Sequence, residues 1–130
     1  MKKNGVLAGV FLMFTLSGCV ILSPGLPSEL IGSWTYSNSY YTQTYTFEAR
    51  KMYYEDYASN TGGSSSWEDE IIDVNTDEEY FVTKYDCWSW HVSGSTLYLK
   101  KEAYSETPAS DLPDLWWSDT SVSKDTLSKN

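Results

Sequence analysis

Trp88-Ser89-Trp90-His91-Val92-Ser93-Gly94-Ser95-Thr96-Leu97-Tyr98-Leu99-Lys100 reads as two strands around a tight turn. Trp88, Trp90 and Val92 share one face at period two, while Ser89 and His91 take the other. After Ser93-Gly94-Ser95, where Gly94 accepts a positive φ, Leu97 and Leu99 share a face opposite Tyr98 and Lys100. A hairpin with one apolar face must bury it against further strands, and the text upstream supplies them. Residues 44–48 (Thr-Tyr-Thr-Phe-Glu) alternate polar with aromatic, and residues 51–57 are rich in Tyr. Residues 67–74 mix acidic with β-branched side chains, and residues 80–85 continue the pattern. Residues 60–66 (Asn-Thr-Gly-Gly-Ser-Ser-Ser) read as a flexible loop and residues 73–79 as an acidic turn. No stretch keeps an apolar 3.6-residue period over three turns. The expectation is an all-β antiparallel barrel or sandwich over residues 30–105, without internal repeats.

Composition narrows the function classes. The chain has 130 residues, 18 acidic and 9 basic, for a formal charge of −9. Nucleic-acid binding needs clustered Lys and Arg to displace counterions, so that class is excluded. Adsorption to anionic headgroups through a basic surface is excluded by the same charge. Aromatic content is high, with 6 Trp, 11 Tyr and 4 Phe.

Lys2 and Lys3 precede an uncharged, mostly apolar run over residues 5–16, too short to cross a bilayer comfortably as a helix. Leu16-Ser17-Gly18-Cys19 follows directly and resembles the lipobox of bacterial lipoproteins. That resemblance implies a signal peptide over residues 1–18, cleavage before Cys19, a diacylglycerol on its sulfur and a fatty acyl chain such as palmitate on the new N-terminus. Two or three acyl chains anchor stably where one does not. Removing Lys2 and Lys3 with the leader takes the charge from −9 to −11. Residues 19–29, with Pro24, Gly25 and Pro27, suit an extended tether. Val20 stands where, in the enterobacterial sorting rule, Asp would hold a lipoprotein at the inner membrane, so the resemblance implies the outer one. With Cys19 acylated, Cys87 has no partner for an intramolecular disulfide and reads as a buried, inert thiol.

Leu30-Ile31-Gly32-Ser33-Trp34 resembles the Gly-x-Trp entry of lipocalins, in which the Trp closes one end of the barrel. Thr46-Phe47 and the Val92–Leu99 hairpin are similar to small bacterial lipocalin-like lipoproteins. The resemblance implies a small up-and-down β-barrel serving as a binding module for a small apolar ligand. Its interior would be lined by Trp34, Tyr36, Tyr45, Phe47, Tyr54, Trp88, Trp90 and Val92. Two positions depart from the family. Val82-Thr83-Lys84-Tyr85-Asp86 only loosely matches the Thr-Asp-Tyr motif. The Arg that follows the last strand in lipocalins has no counterpart, since the single Arg is Arg50. Eight strands leave an interior that side chains can nearly fill. The alternative is therefore a filled barrel acting as an envelope protein-interaction module, an assembly factor or a lysozyme-inhibitor-like protein, whose acidity suits a basic partner.

Residues 106–130 are polar and read as a tail that docks through Trp116 and Trp117; whether it adds a closing strand is left open. His91, the single histidine, reads as structural or surface. Asp73-Val74-Asn75-Thr76-Asp77 opens like a calcium loop, but Glu78 and Lys84 stand where the loop needs Gly and Glu, so no metal site is expected. Glu68, Asp69 and Glu70 alternate sides of a strand and face no identified carboxylate partner. The chain reads as a non-enzyme without a cofactor.

Overall fold

Period-two sequence becomes period-two burial. The computed structural model describes residues 24–130, so the leader, Cys19 and the tether up to residue 23 lie outside the described residues. Eight strands follow: β1 (Gly32–Ser37), β2 (Tyr41–Glu48), β3 (Lys51–Ala58), β4 (Ser64–Asn75), β5 (Tyr80–Thr83), β6 (Asp86–Ser93), β7 (Thr96–Ala103) and β8 (Asp125–Lys129). Each pairs antiparallel with the next, and β8 returns to β1, so the expected up-and-down barrel is closed. Ladder partners share a face. Trp34, Tyr45, Tyr54 and Trp67 therefore run inward across four strands, and Phe81 and Trp88 face each other on the opposite wall.

The end of the barrel at Gly32 is plugged by the chain that enters it. A Cβ on Gly25 would lie 2.8 Å from the Ala49 carbonyl, so only glycine allows this close crossing. Next to it the Leu26 N–H donates to the same carbonyl at 2.8 Å. Leu26 and Leu30 are buried, and the Trp34 indole N–H donates to the Leu30 carbonyl at 3.0 Å. Gly32 sits at φ +120°, a conformation that favours glycine, and a Cβ there would meet the Lys129 ammonium at 2.6 Å.

Lys129, the last residue of β8, lies over the entry tryptophan. Its Nζ lies 4.6 Å from the centre of the Trp34 ring and donates to the Ile31 carbonyl. A lysine from β8 thus caps the entry tryptophan by a cation–π contact.

The tail, whose part in the sheet the sequence leaves open, supplies the closing strand, so the barrel extends past the expected boundary at residue 105. Its last residues form β8, which pairs with β7 through Leu97–Leu127 and with β1 through Trp34–Lys129. The barrel therefore runs to Lys129. The signal was short: Leu127 is the one strongly apolar residue of Asp125–Lys129, and it is 1% exposed. Between β7 and β8 the chain crosses the outside of β6. There Trp116 is buried and Trp117 stacks on His91, with centroids 3.7 Å apart and planes at 12°. The docking expected of this Trp pair is present.

Residues 64–66 are the second difference. The Ser run continues the hairpin ladder, with Tyr57, Asp56 and Glu55 opposite Ser64, Ser65 and Ser66. Hairpin pairing overrides the weak strand preference of serine. β5 is short and meets β4 only over Ile71–Asn75, through a register shift at Ile71/Asp73.

Candidate functional site

The barrel interior is an aromatic lattice. Of the eight residues expected to line it, Trp34, Tyr45, Phe47, Trp88 and Trp90 are buried in the core, and Tyr54 and Val92 pack against it partly exposed. Tyr36 does not join them. It stands at the rim, 36% exposed, with its ring 5.7 Å from that of Tyr41. It has the inward parity, but it lies one residue from the end of β1, beyond the packed layers.

Ring contacts run unbroken through the core. Tyr45 meets Tyr54 at 4.9 Å and Trp88 at 5.9 Å. Phe47 meets Phe81 at 5.9 Å, and Phe81 stacks on Trp88 at 6.2 Å and approaches Trp90 at 6.0 Å. Edge-to-face and offset geometries at these separations are favourable packing rather than loose approach. The sequence reading omitted several interior residues: Met52, Ile71, Phe81, Leu97, Leu99 and Leu127 are all buried. Met52 and Phe81 were accessible to the same period-two rule, since each sits on the inward parity of a strand already recognised.

Towards the other end the interior turns polar. The Tyr45 hydroxyl donates to Asp125 Oδ2 at 3.1 Å. The Tyr54 hydroxyl donates to Asp56 Oδ2 at 2.9 Å and reaches Gln43 Oε1 at 3.5 Å. Burial, then the neighbouring Asp125 carboxylate, push the Tyr45 phenol far above its ordinary range. Burial and the Asp56 contact push Tyr54 up to about 12. Both phenols are thus neutral donors at physiological pH, holding carboxylates at the mouth. Trp67 stacks on Tyr54 at 5.1 Å and leans on Trp88 at 6.2 Å, yet stays 39% exposed. Lys101 covers the Trp88 ring at 5.6 Å.

Two donors in this interior are unmatched: the indole N–H groups of Trp88 and Trp90 are buried and have no hydrogen-bond acceptor within the protein. An unpaired buried N–H carries a desolvation cost of about 1–3 kcal/mol.

The remaining chemical candidates are buried or engaged in local contacts. Cys87 is a buried free thiol, and burial pushes it up to about 11. His91 lies on the outer face with its Nδ1 3.1 Å from Glu79 Oε1. Asp73 and Asn75 spend side-chain oxygens on the N–H groups of Val74 and Glu78. Among the described residues no group of three or more His, Cys, Asp or Glu is placed to hold a metal ion.

Outside the barrel, β1 and β2 carry a ladder of hydroxyl pairs, Ser33–Thr46, Thr35–Thr44 and Ser37–Thr42, at 2.8, 3.1 and 2.8 Å. A groove of about 550 Å³ lies beside it, lined by Thr44, Thr46, Tyr53, Glu55, Ser66 and Glu68 with Tyr54 and Trp67. This wall belongs to the outside of the sheet, not to the lumen.

No protein-family model matches the chain, and no curated protein matches it. Among solved structures it is similar to a lipocalin lipoprotein affecting virulence in Streptococcus pneumoniae, at 11% identity and a TM-score of 0.48 over 84% of this chain and 98% of that one.

Proposed function

We propose that this chain is a lipid-anchored binding module of the cell envelope that meets a protein partner on the rim and outer wall of a filled barrel. The observation that carries this reading is the unbroken ring lattice from Tyr45 through Trp88 and Phe81 to Trp90, which occupies the space a lumenal ligand would take. A barrel of eight strands has room for its own side chains or one small ligand, and here large aromatic rings use it. Anchoring rests on the lipobox-like Leu16-Ser17-Gly18-Cys19, and Val20 after the cysteine favours the outer membrane. Incorporation of labelled palmitate, lost in Cys19→Ser, tests the anchor.

Titration with a fluorescent fatty acid tests the choice between wall and lumen. A filled barrel gives no saturable, displaceable signal. Stoichiometric uptake that Val92→Trp abolishes would overturn the reading. The orphaned indole N–H groups of Trp88 and Trp90 favour a second reading. In it a small, mostly apolar ligand with one acceptor atom displaces part of the aromatic packing and accepts from those donors.

A further inference from the structure

The wall of the barrel is not paired along its whole height. β4 spans Ser64–Asn75, but β5 reaches it only from Ile71 onward, at the Ile71–Thr83 pair. Residues 64–70 are paired with β3 on one side, and among the described residues no strand lies on the other. All are exposed except Asp69, which is half-buried.

The phase of the hairpin says which groups point outward. The Ala58 N–H donates to the Gly63 carbonyl at 2.8 Å, and the Ile71 N–H donates to the Arg50 carbonyl at 2.9 Å. Between these two fixed points the register is continuous. Antiparallel pairs alternate between bonded and non-bonded, so Asp56–Ser65, Tyr54–Trp67 and Met52–Asp69 exchange the ladder bonds. The N–H and C=O groups of Ser66, Glu68 and Glu70 therefore face away from β3 into the open edge.

An open edge is a template for another strand, and proteins normally blunt such edges with charge. Here the charge is one-signed: Glu68, Asp69 and Glu70 are consecutive. Lys51 pairs with Glu68 at 3.4 Å, and Lys84 is within electrostatic reach of Asp69, as is the opposing carboxylate of Asp86. A second copy laid antiparallel on this edge would bring like charges across from each other, which destabilises the pairing. A strand carrying Lys or Arg would instead match them. Trp67, 39% exposed and braced from behind by Tyr54, offers an apolar contact to the residue lying opposite.

We infer that the free edge of β4 over residues 64–70 is a strand-addition site for an extended, Lys- or Arg-rich segment of a partner polypeptide. The inference rests on the surface-binding reading above and deepens it. Main-chain hydrogen bonds to Ser66, Glu68 and Glu70 supply the affinity, and the acidic run with Trp67 supplies the selectivity.

The test uses the full-length protein, purified in detergent, and a capped peptide alternating Lys with Val. Saturable binding is expected, with slowed amide exchange at Ser66, Glu68 and Glu70. Ser66→Pro removes an outward N–H and sterically blocks the edge, while leaving charge and the β3 ladder intact. It should weaken binding at least tenfold, whereas Ser66→Ala should change it less than twofold. If Ser66→Pro fails to fold, methylating the backbone nitrogens on one edge of the peptide tests the same contact on the unaltered protein, with the same tenfold loss expected. Absence of binding, equal binding by Ser66→Pro or the methylated peptide, or equal binding of a Glu–Val peptide would each overturn the inference. None of these would touch the filled-barrel reading, which fails only if a small molecule is taken up inside.

Discussion

Leu127→Ala probes whether the last five residues of the fold are a core strand. Leu127 is 1% exposed and lies opposite Leu97, itself fully buried. Truncation to alanine removes about three methylene equivalents, worth roughly 2.4 kcal/mol at about 0.8 kcal/mol each. The cavity left behind brings the expected cost to about 3 kcal/mol, within the ~2–5 kcal/mol range of such changes. For a domain of this size about 3 kcal/mol corresponds to a fall in Tm of roughly 12 °C. Urea unfolding followed by tryptophan fluorescence and by circular dichroism reads the loss directly. Thr126→Ala, at an exposed neighbouring position, is the control and should stay within about 0.5 kcal/mol. Deleting residues 106–130 removes β8 altogether, which opens the barrel between β1 and β7 and should abolish the cooperative transition. A Leu127→Ala variant within about 1 kcal/mol of the parent, or a truncated chain with an unchanged transition, would refute the eight-stranded account.

Three further outcomes follow from single contacts. Lys129→Gln loses the cation–π contact on Trp34 and should cost about 1 kcal/mol in urea midpoint measurements, while Lys129→Arg should retain stability. The raised Tyr45 and Tyr54 phenols are protonated in both states below their ordinary value near 10 and add no pH dependence there. Between pH 10 and about 12 the unfolded chain ionises first, so stability should fall across that window and fall less steeply in Tyr54→Phe. A phenolate absorbance titration should show the two delayed tyrosines, and their ionisation with the rest would contradict the buried hydrogen bonds. Cys87, with its thiol pushed up to about 11, should resist a chromogenic thiol reagent at mildly alkaline pH and react only as the barrel opens.

Much of the wall was legible because half-buried strands announce themselves at period two. The alternation of Trp88, Trp90, Val92, Leu97 and Leu99 carried inward facing directly into burial. What escaped was long-range or weakly coded. The Tyr45–Asp125 bond joins residues 80 apart in the chain, and no local pattern announces it. β8 has one strongly apolar residue in five, below the length at which alternation is distinguishable from chance. The serines of residues 64–66 belong to a strand only because β3 pairs with them, and the open edge they begin has no sequence signature. The Lys129–Trp34 contact joins the two ends of the barrel sequence, and no local pattern around Lys129 announces it. Tyr36 shows the converse limit: parity gave its direction, but not that the packed layers end before it.

Native mass spectrometry of the secreted Cys19→Ser protein is the most direct test of a barrel filled by its own side chains. An interior occupied by Tyr45, Phe47, Phe81, Trp88 and Trp90 predicts the mass of the polypeptide alone. A stoichiometric small-molecule adduct that is retained in the folded protein and released on denaturation would contradict it.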